Sequence, residues 1–420
     1  MNRIQEILHA LENGNLQKAM KLKDDILKNG DEREIYVLAE QLKNLGFLEE
    51  VIPLYKKLLE RYPNEGELLV DLAEVYIQLD EGEKALLTLE KIKKDDPVYV
   101  ESLLLSADLY ENEGLYEVCE QKLREAEKIL PDEPLIQFAM GEFFSSIGKF
   151  AEAVYKYEKV LEKTDTIDGV NIHARLAEIY STAGEFEKAL PFYEKALEDK
   201  ITVDMLFGYG FTLFQSGQYE GAIEKLKEVK TLDPDYESAY FPLSEAYEKI
   251  GDYKSALEVA KEGININPFQ KELVYFAGNL CVKLGLLNEA EDYFQKSLEL
   301  DPDYVEAMLA FNRLLFQQGR YQEANERMEP LINGGEEDPD LLWDYAVSCQ
   351  HEEKYSEALN AYNKAYKYLK ENEEFLQNYG FFLLEEGNKG DAIEVFKQLL
   401  QIDPTNVEYI DVLERLEVNR

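Results

Sequence analysis

A small residue returns along this chain at almost constant intervals, and no other feature narrows its folding options as much. The ladder reads Gly14, Gly46, Asp80, Gly114, Gly148, Gly184, Gly217, Gly251, Gly285, Gly319, Glu353 and Gly387. Successive spacings are 32, 34, 34, 34, 36 and 33 residues, then 34 five times. Five residues after each site stands a second, mostly small side chain: Ala19, Val51, Ala85, Cys119, Ala153, Ala189, Ala222, Ala256, Ala290, Ala324, Ala358 and Ala392. An aromatic commonly follows two after the ladder residue, as at Tyr116, Phe150, Phe186, Tyr219, Tyr253, Tyr321 and Tyr355. Twelve copies of one unit build a single array, where 420 residues would otherwise imply two or three domains.

Each copy holds two apolar stripes of helical period. In the sixth, Leu176, Ala177 and Tyr180 mark the first helix, and Phe186, Ala189, Tyr193 and Ala196 the second. Between them Gly184 is free to adopt positive φ and close the first helix. The small residue five later lets two helix backbones approach closely. Asp233-Pro234, Asn267-Pro268, Asp301-Pro302 and Asp403-Pro404 end second helices, because proline cannot continue them. One helix pair cannot bury both stripes, so each needs neighbours.

This period and punctuation resemble the tetratricopeptide repeat (TPR) across essentially the whole chain. The resemblance implies an all-α solenoid: a right-handed superhelix of about twelve helix pairs. A closing helix over "NVEYIDVLERLEVNR" would cap its core. The array reads as repeats 1–5 over 1–163, repeats 6–10 over 164–335, repeats 11–12 over 336–404 and the capping helix over 405–420. Two irregular junctions, "KTDTIDGVN" and "NGGEEDP", are candidate hinges near 164–170 and 333–339. Pro242 is expected to kink or widen the first helix of repeat 8, whereas Pro53 and Pro191 fall early in second helices.

Composition excludes several functions. Eighty-six acidic against 45 basic residues give a net charge of −41, which repels phosphate backbones and anionic membranes. Neither nucleic acid nor a membrane is expected as a partner. The amphipathic start, Met1 to Glu12, lacks a secretory apolar core, and no apolar run approaches a membrane span. Cys119, Cys281 and Cys349 read as buried structural thiols of a cytoplasmic protein. His9, His173 and His351 lie in different repeats, and His173 reads as a satisfied packing histidine. No catalytic constellation, phosphate loop, metal set or cofactor motif emerges, so the chain is read as non-enzymatic.

Function then belongs to the groove that the first helices line in the family, at repeat positions 2, 5, 9, 12 and 13 when the ladder residue is 15. Those slots hold 17 acidic and 5 basic residues, a steeper ratio than that of the whole chain. Position 9 alone carries Glu40, Glu74, Asp108, Glu142, Glu178 and Glu245. Position 5 is aromatic at Tyr36, Phe138, Phe207, Phe241, Tyr275 and Trp343. In repeat 7, Phe207, Phe211 and Phe214 share one helix face, opposite the packing residues Leu206, Gly210 and Leu213. The chaperone-tail clamp (Lys at 5, Asn at 9) is absent, as is the position-6 asparagine ladder of sugar-transferase arrays. Asn279, Lys283, Lys249 and Arg313 form the only basic groove patch.

The expected function is a protein-interaction scaffold that binds a protein or peptide segment with apolar anchors and Lys/Arg. Its candidate residues are Phe207, Phe211, Phe214, Phe241, Tyr275, Glu142, Glu178, Glu245, Asp108 and Glu74. The alternatives are a self-associating homo-oligomer and a regulatory subunit of an enzyme or chaperone complex.

Overall fold

A computed structural model describes residues 3–418. The expected positions Met1, Asn2, Asn419 and Arg420 lie outside the described residues. The chain forms two compact units, residues 1–201 and 202–420. The first holds six helix pairs: α1 (Arg3–Glu12) with α2 (Leu16–Asn29), α3 (Glu32–Asn44) with α4 (Leu48–Leu59), α5 (Gly66–Gln78) with α6 (Gly82–Leu89), α7 (Tyr99–Asn112) with α8 (Tyr116–Ile129), α9 (Pro134–Ser146) with α10 (Phe150–Leu161), and α11 (Ile172–Thr182) with α12 (Phe186–Asp199). The second holds six more: α13 (Val203–Gln215) with α14 (Tyr219–Leu232), α15 (Tyr240–Lys249) with α16 (Tyr253–Ile266), α17 (Lys271–Lys283) with α18 (Leu287–Leu300), α19 (Val305–Gln317) with α20 (Tyr321–Gly334), α21 (Pro339–His351) with α22 (Tyr355–Leu369), and α23 (Glu373–Glu385) with α24 (Lys389–Ile402). A single helix, α25 (Val407–Val418), follows.

The ladder is a set of helix stops. All twelve residues hold φ between +59° and +81°, including the non-glycines Asp80 and Glu353. In every repeat the next N–H reaches back to the carbonyl five residues earlier at 2.8–3.0 Å, as Asp252 does to Tyr247. The side chain five after the ladder is fully buried in all twelve repeats. Space is open around a Cβ at Gly251, so only the backbone opposes substitution there. Gly251→Val should therefore cost about 1–3 kcal/mol and Gly251→Asn less, since asparagine tolerates this region. Denaturant unfolding of the two variants side by side checks this order.

A second set of small residues on the first helices, seven before the ladder, went unread in the sequence. It faces the second-helix residue nine after the ladder. A Cβ on Gly141 would lie 2.9 Å from the Tyr157 ring, one on Gly210 2.9 Å from Leu226, and one on Gly278 2.6 Å from Phe294. Glycine thus lets the facing side chain come close at these three helix crossings.

The second helices end as expected. Asp233, Asn267, Asp301 and Asp403 are the C-cap residues, and each side-chain oxygen accepts from the N–H two residues on, at 3.0–3.1 Å. Tyr409 and Leu413 of α25 are buried, so this helix covers the end of the core as expected. The three cysteines are buried and unpaired, and burial pushes the Cys119 thiol up to about 12 and Cys281 to about 11.

Two local expectations, at Pro242 and at His173, need correcting. Pro242 does not kink a helix. A 3-10 turn at Glu237–Ala239 delays α15 to Tyr240, which leaves Pro242 in the first turn, where its missing N–H costs nothing. Pro53 and Pro191 are sixth residues of continuous helices, beyond the first turn. His173 is not a satisfied histidine, because its buried Nδ1 has no hydrogen-bond partner. The long junction before repeat 6 is an ordered hairpin: Thr166–Ile167 (β1) pairs with Val170–Asn171 (β2) across Asp168 and Gly169, both at positive φ. At the other junction, Gly335 in the left-handed region closes α20, and Asp338 caps α21.

Candidate partner-binding face

Many polar contacts between successive repeats join first helix to first helix or second to second, while others, such as Gln137 of α9 to Glu127 of α8, join a second helix to the next first helix. On the first helices of unit 1, Lys43 of α3 reaches Asp71 at 3.2 Å and Glu74 at 2.6 Å on α5. Arg175 of α11 lies 3.1 Å from Glu142 on α9. In unit 2, Lys283 of α17 pairs with Glu248 of α15 at 2.7 Å. On the second helices, Lys261 of α16 pairs with Glu289 of α18 at 2.8 Å, and Arg320, the N-cap of α20, with Glu291 of α18 at 2.7 Å. Each unit thus presents one face made only of first helices, and all the expected site residues are on those helices.

The position-9 carboxylates divide by role. Tyr55 donates to Glu40, and Tyr157 to Glu142 at 2.5 Å, so each latches its helix pair from within. Glu74 is held by Lys43 and Glu178 by Arg175 at 2.9 Å. Asp108 is exposed. Burial raises the Glu245 carboxyl above its ordinary range, opposed by Lys249. A further acidic set was not singled out from the sequence. On α5 and α7, burial and then mutual repulsion from Glu74, Asp71 and Glu67 raise the Glu101 carboxyl. Burial also raises Asp71, although Lys43 pulls it down. Tyr36 of α3, 38% exposed, stands beside this set.

The aromatic rings of unit 2 form separate groups. Phe207 stacks with Phe211 at 6.0 Å and meets Tyr236 at 5.2 Å. Phe211 is 37% exposed, the most open of the expected rings. Phe214 packs on Tyr219 of its own repeat at 5.8 Å. Phe241 meets Phe276 edge-on at 5.3 Å, and Tyr275 touches Phe294 and Tyr304. Tyr236 and Tyr304 both come from Asp-Pro-Asp-Tyr junctions, and each covers the position-5 ring of the repeat before. Tyr236 is fixed by donating to Asp204 at 3.0 Å. Four of the five expected carboxylates lie in unit 1; the aromatic set and Glu245 lie in unit 2. Among the described residues no helix is long and apolar enough to cross a membrane.

Comparison with known proteins bears on the whole chain. Residues 339–406 match the family of YpiA-like, C-terminal tetratricopeptide repeats, and residues 112–165 match YpiA-like tetratricopeptide repeats. General tetratricopeptide-repeat families match 46–109, 172–201, 210–251, 237–270 and 282–342. The TPR repeat-containing protein YpiA of Bacillus subtilis (strain 168) is 40% identical over 414 residues, 99% of this chain and 98% of that protein. A CTR9 homolog of Arabidopsis thaliana is 32% identical over 125 residues, only 11% of its own length. Among solved structures, the APC/C hetero-tetramer Cut9-Hcn1 aligns over 98% of this chain and 95% of that one, at 14% identity and a TM-score of 0.39. YrrB, described as a TPR protein with an unusual peptide-binding site, aligns over 45% of this chain and 97% of its own, at 15% identity and a TM-score of 0.39. At those scores neither structure bears on what this chain binds.

Proposed function

From membership of the YpiA-like family of tetratricopeptide-repeat proteins, to which this chain belongs, we propose a non-enzymatic cytoplasmic scaffold that binds a protein segment along its first-helix faces. The segment carries apolar anchors that lodge against Phe207 and Phe211, and Lys or Arg side chains suited to first-helix carboxylates. The observation that supports this reading most is Phe211. It stands 37% exposed on a ring stack whose base is clamped by Tyr236. A rigid, half-open aromatic is the usual anchor of a binding hot spot.

Affinity purification with crosslinking identifies the partner, and crosslinks should fall on first-helix residues. Phe211→Ala should then weaken binding by about 2 kcal/mol while leaving the melting temperature nearly unchanged. A binding isotherm beside a thermal melt for this one variant checks both. Marked destabilisation with binding intact would make the ring a packing element and overturn the reading.

A further inference from the structure

Two repeats break the small-residue rule on the first helices: repeat 1 with Ile7, and repeat 10 with a polar residue. Seven before its ladder residue, repeat 10 carries Asn312, which is fully buried. Its amide nitrogen lies 3.1 Å from Met328 Sδ on α20 and 3.1 Å from Asp344 Oδ2 on α21. Both N–H groups are thereby used, and the amide oxygen is buried with no partner. A buried acceptor left unmatched costs free energy comparable to a lost hydrogen bond. The only hydrogen-bond partner of this amide able to gain a donor is Asp344, by taking up a proton.

We infer that Asn312 and Asp344 form a proton-operated latch between α19 and α21. With a proton on Asp344 the acid and the amide exchange two hydrogen bonds: N–H to one carboxyl oxygen, and O–H to the amide oxygen. Without the proton one bond remains and the amide oxygen is orphaned. The surroundings favour the neutral form. Burial pushes the Asp344 carboxyl up to about 7, and Asp340 on its own helix and Asp338 at that helix's N-cap add repulsion. The Asn312 bond and Arg313 from α19 oppose them without prevailing. Against this region α20 offers the uncharged Met328, and α23 presents Phe375 to the adjacent Trp343. Glu357 of α22 lies towards Cys349 and Tyr345.

The sign follows from linkage. The folded state holds this proton and the unfolded state does not, from the ordinary aspartate value of 3.8 up to about 7. The latch therefore contributes fully at the acidic end of that window and is lost as pH rises through it. Selective 13C labelling of aspartate, with Asp344→Asn to assign the signal, should place the Asp344 carboxyl midpoint near 7. A midpoint below 5 would overturn the latch. Asparagine mimics the neutral acid, so Asp344→Asn should fold and keep both hydrogen bonds. Between pH 6 and 8, amide exchange in α19 and α21, corrected for its intrinsic pH dependence, should speed up about tenfold in the unaltered protein and stay level in the variant. An equal response in both would also overturn it.

Discussion

Replacing Gly278 with alanine should cost about 2–3 kcal/mol, a large loss for one methyl group. The added Cβ would lie 2.6 Å from the Phe294 ring. That ring cannot retreat: it is fully buried, with Tyr275 at 6.1 Å on one side and Phe311 at 6.1 Å on another. The chain itself supplies the remedy. At the same spacing, repeat 3 sets Ala73 with Leu89, and repeat 4 sets Ala107 with Leu123, all buried. Gly278→Ala with Phe294→Leu should accordingly recover more than half of the loss, although Phe294→Leu alone destabilises by leaving a cavity. Denaturant unfolding of the two single variants and the double variant measures this coupling. Damage in a repeat array stays near its origin, so hydrogen exchange should quicken in α17 and α18 before α23 and α24. A neutral Gly278→Ala would mean that this glycine does not set the approach of the two helices.

The same residues explain what was legible in the sequence and what was not. The ladder residues announced every first-helix stop because positive φ is a local demand, met by the residue itself. The buried alanines five later were equally readable, since they keep a fixed distance from that mark. The pairing of Gly278 with Phe294 was hidden, because a close approach shows only when two helices are laid against each other. Pro242 misled for a related reason. Its effect depends on where the helix starts, and the 3-10 turn before Tyr240 is a tertiary solution. The carboxylate excess at position 9 had two origins that composition merges. Glu40 and Glu142 accept from a tyrosine fifteen residues on, a Glu-to-Tyr spacing that was there to be read. Asp108 and Glu245 have no such tyrosine at that spacing: Asp108 is exposed, while burial raises the Glu245 carboxyl.

Breaking one buried ion pair should be costlier still. Lys156 of α10 is only 7% exposed, and its ammonium is held by Glu127 of α8 and, at 3.1 Å, by Gln137 Oε1 of α9. The Gln137 amide donates in turn to Glu127 at 3.1 Å and to the Pro131 carbonyl at 2.9 Å, which joins three helices in one network. Glu127→Leu strands the ammonium away from water and should cost about 3 kcal/mol or more. Adding Lys156→Met removes the stranded charge and should restore stability to within about 1 kcal/mol of the starting protein. Burial alone would raise the Glu127 carboxyl, but the bonds from Lys156 and Gln137 outweigh it and hold the group below 4.5. A depressed carboxylate stabilises the fold above its unfolded value and stops doing so as pH falls through the folded one. The deficit of Glu127→Leu, measured by denaturant unfolding, should therefore be full at pH 7 and shrink below about pH 4.5. A deficit unchanged at low pH, or undiminished in the double variant, would assign the loss to packing around Glu127 and not to the charge on Lys156.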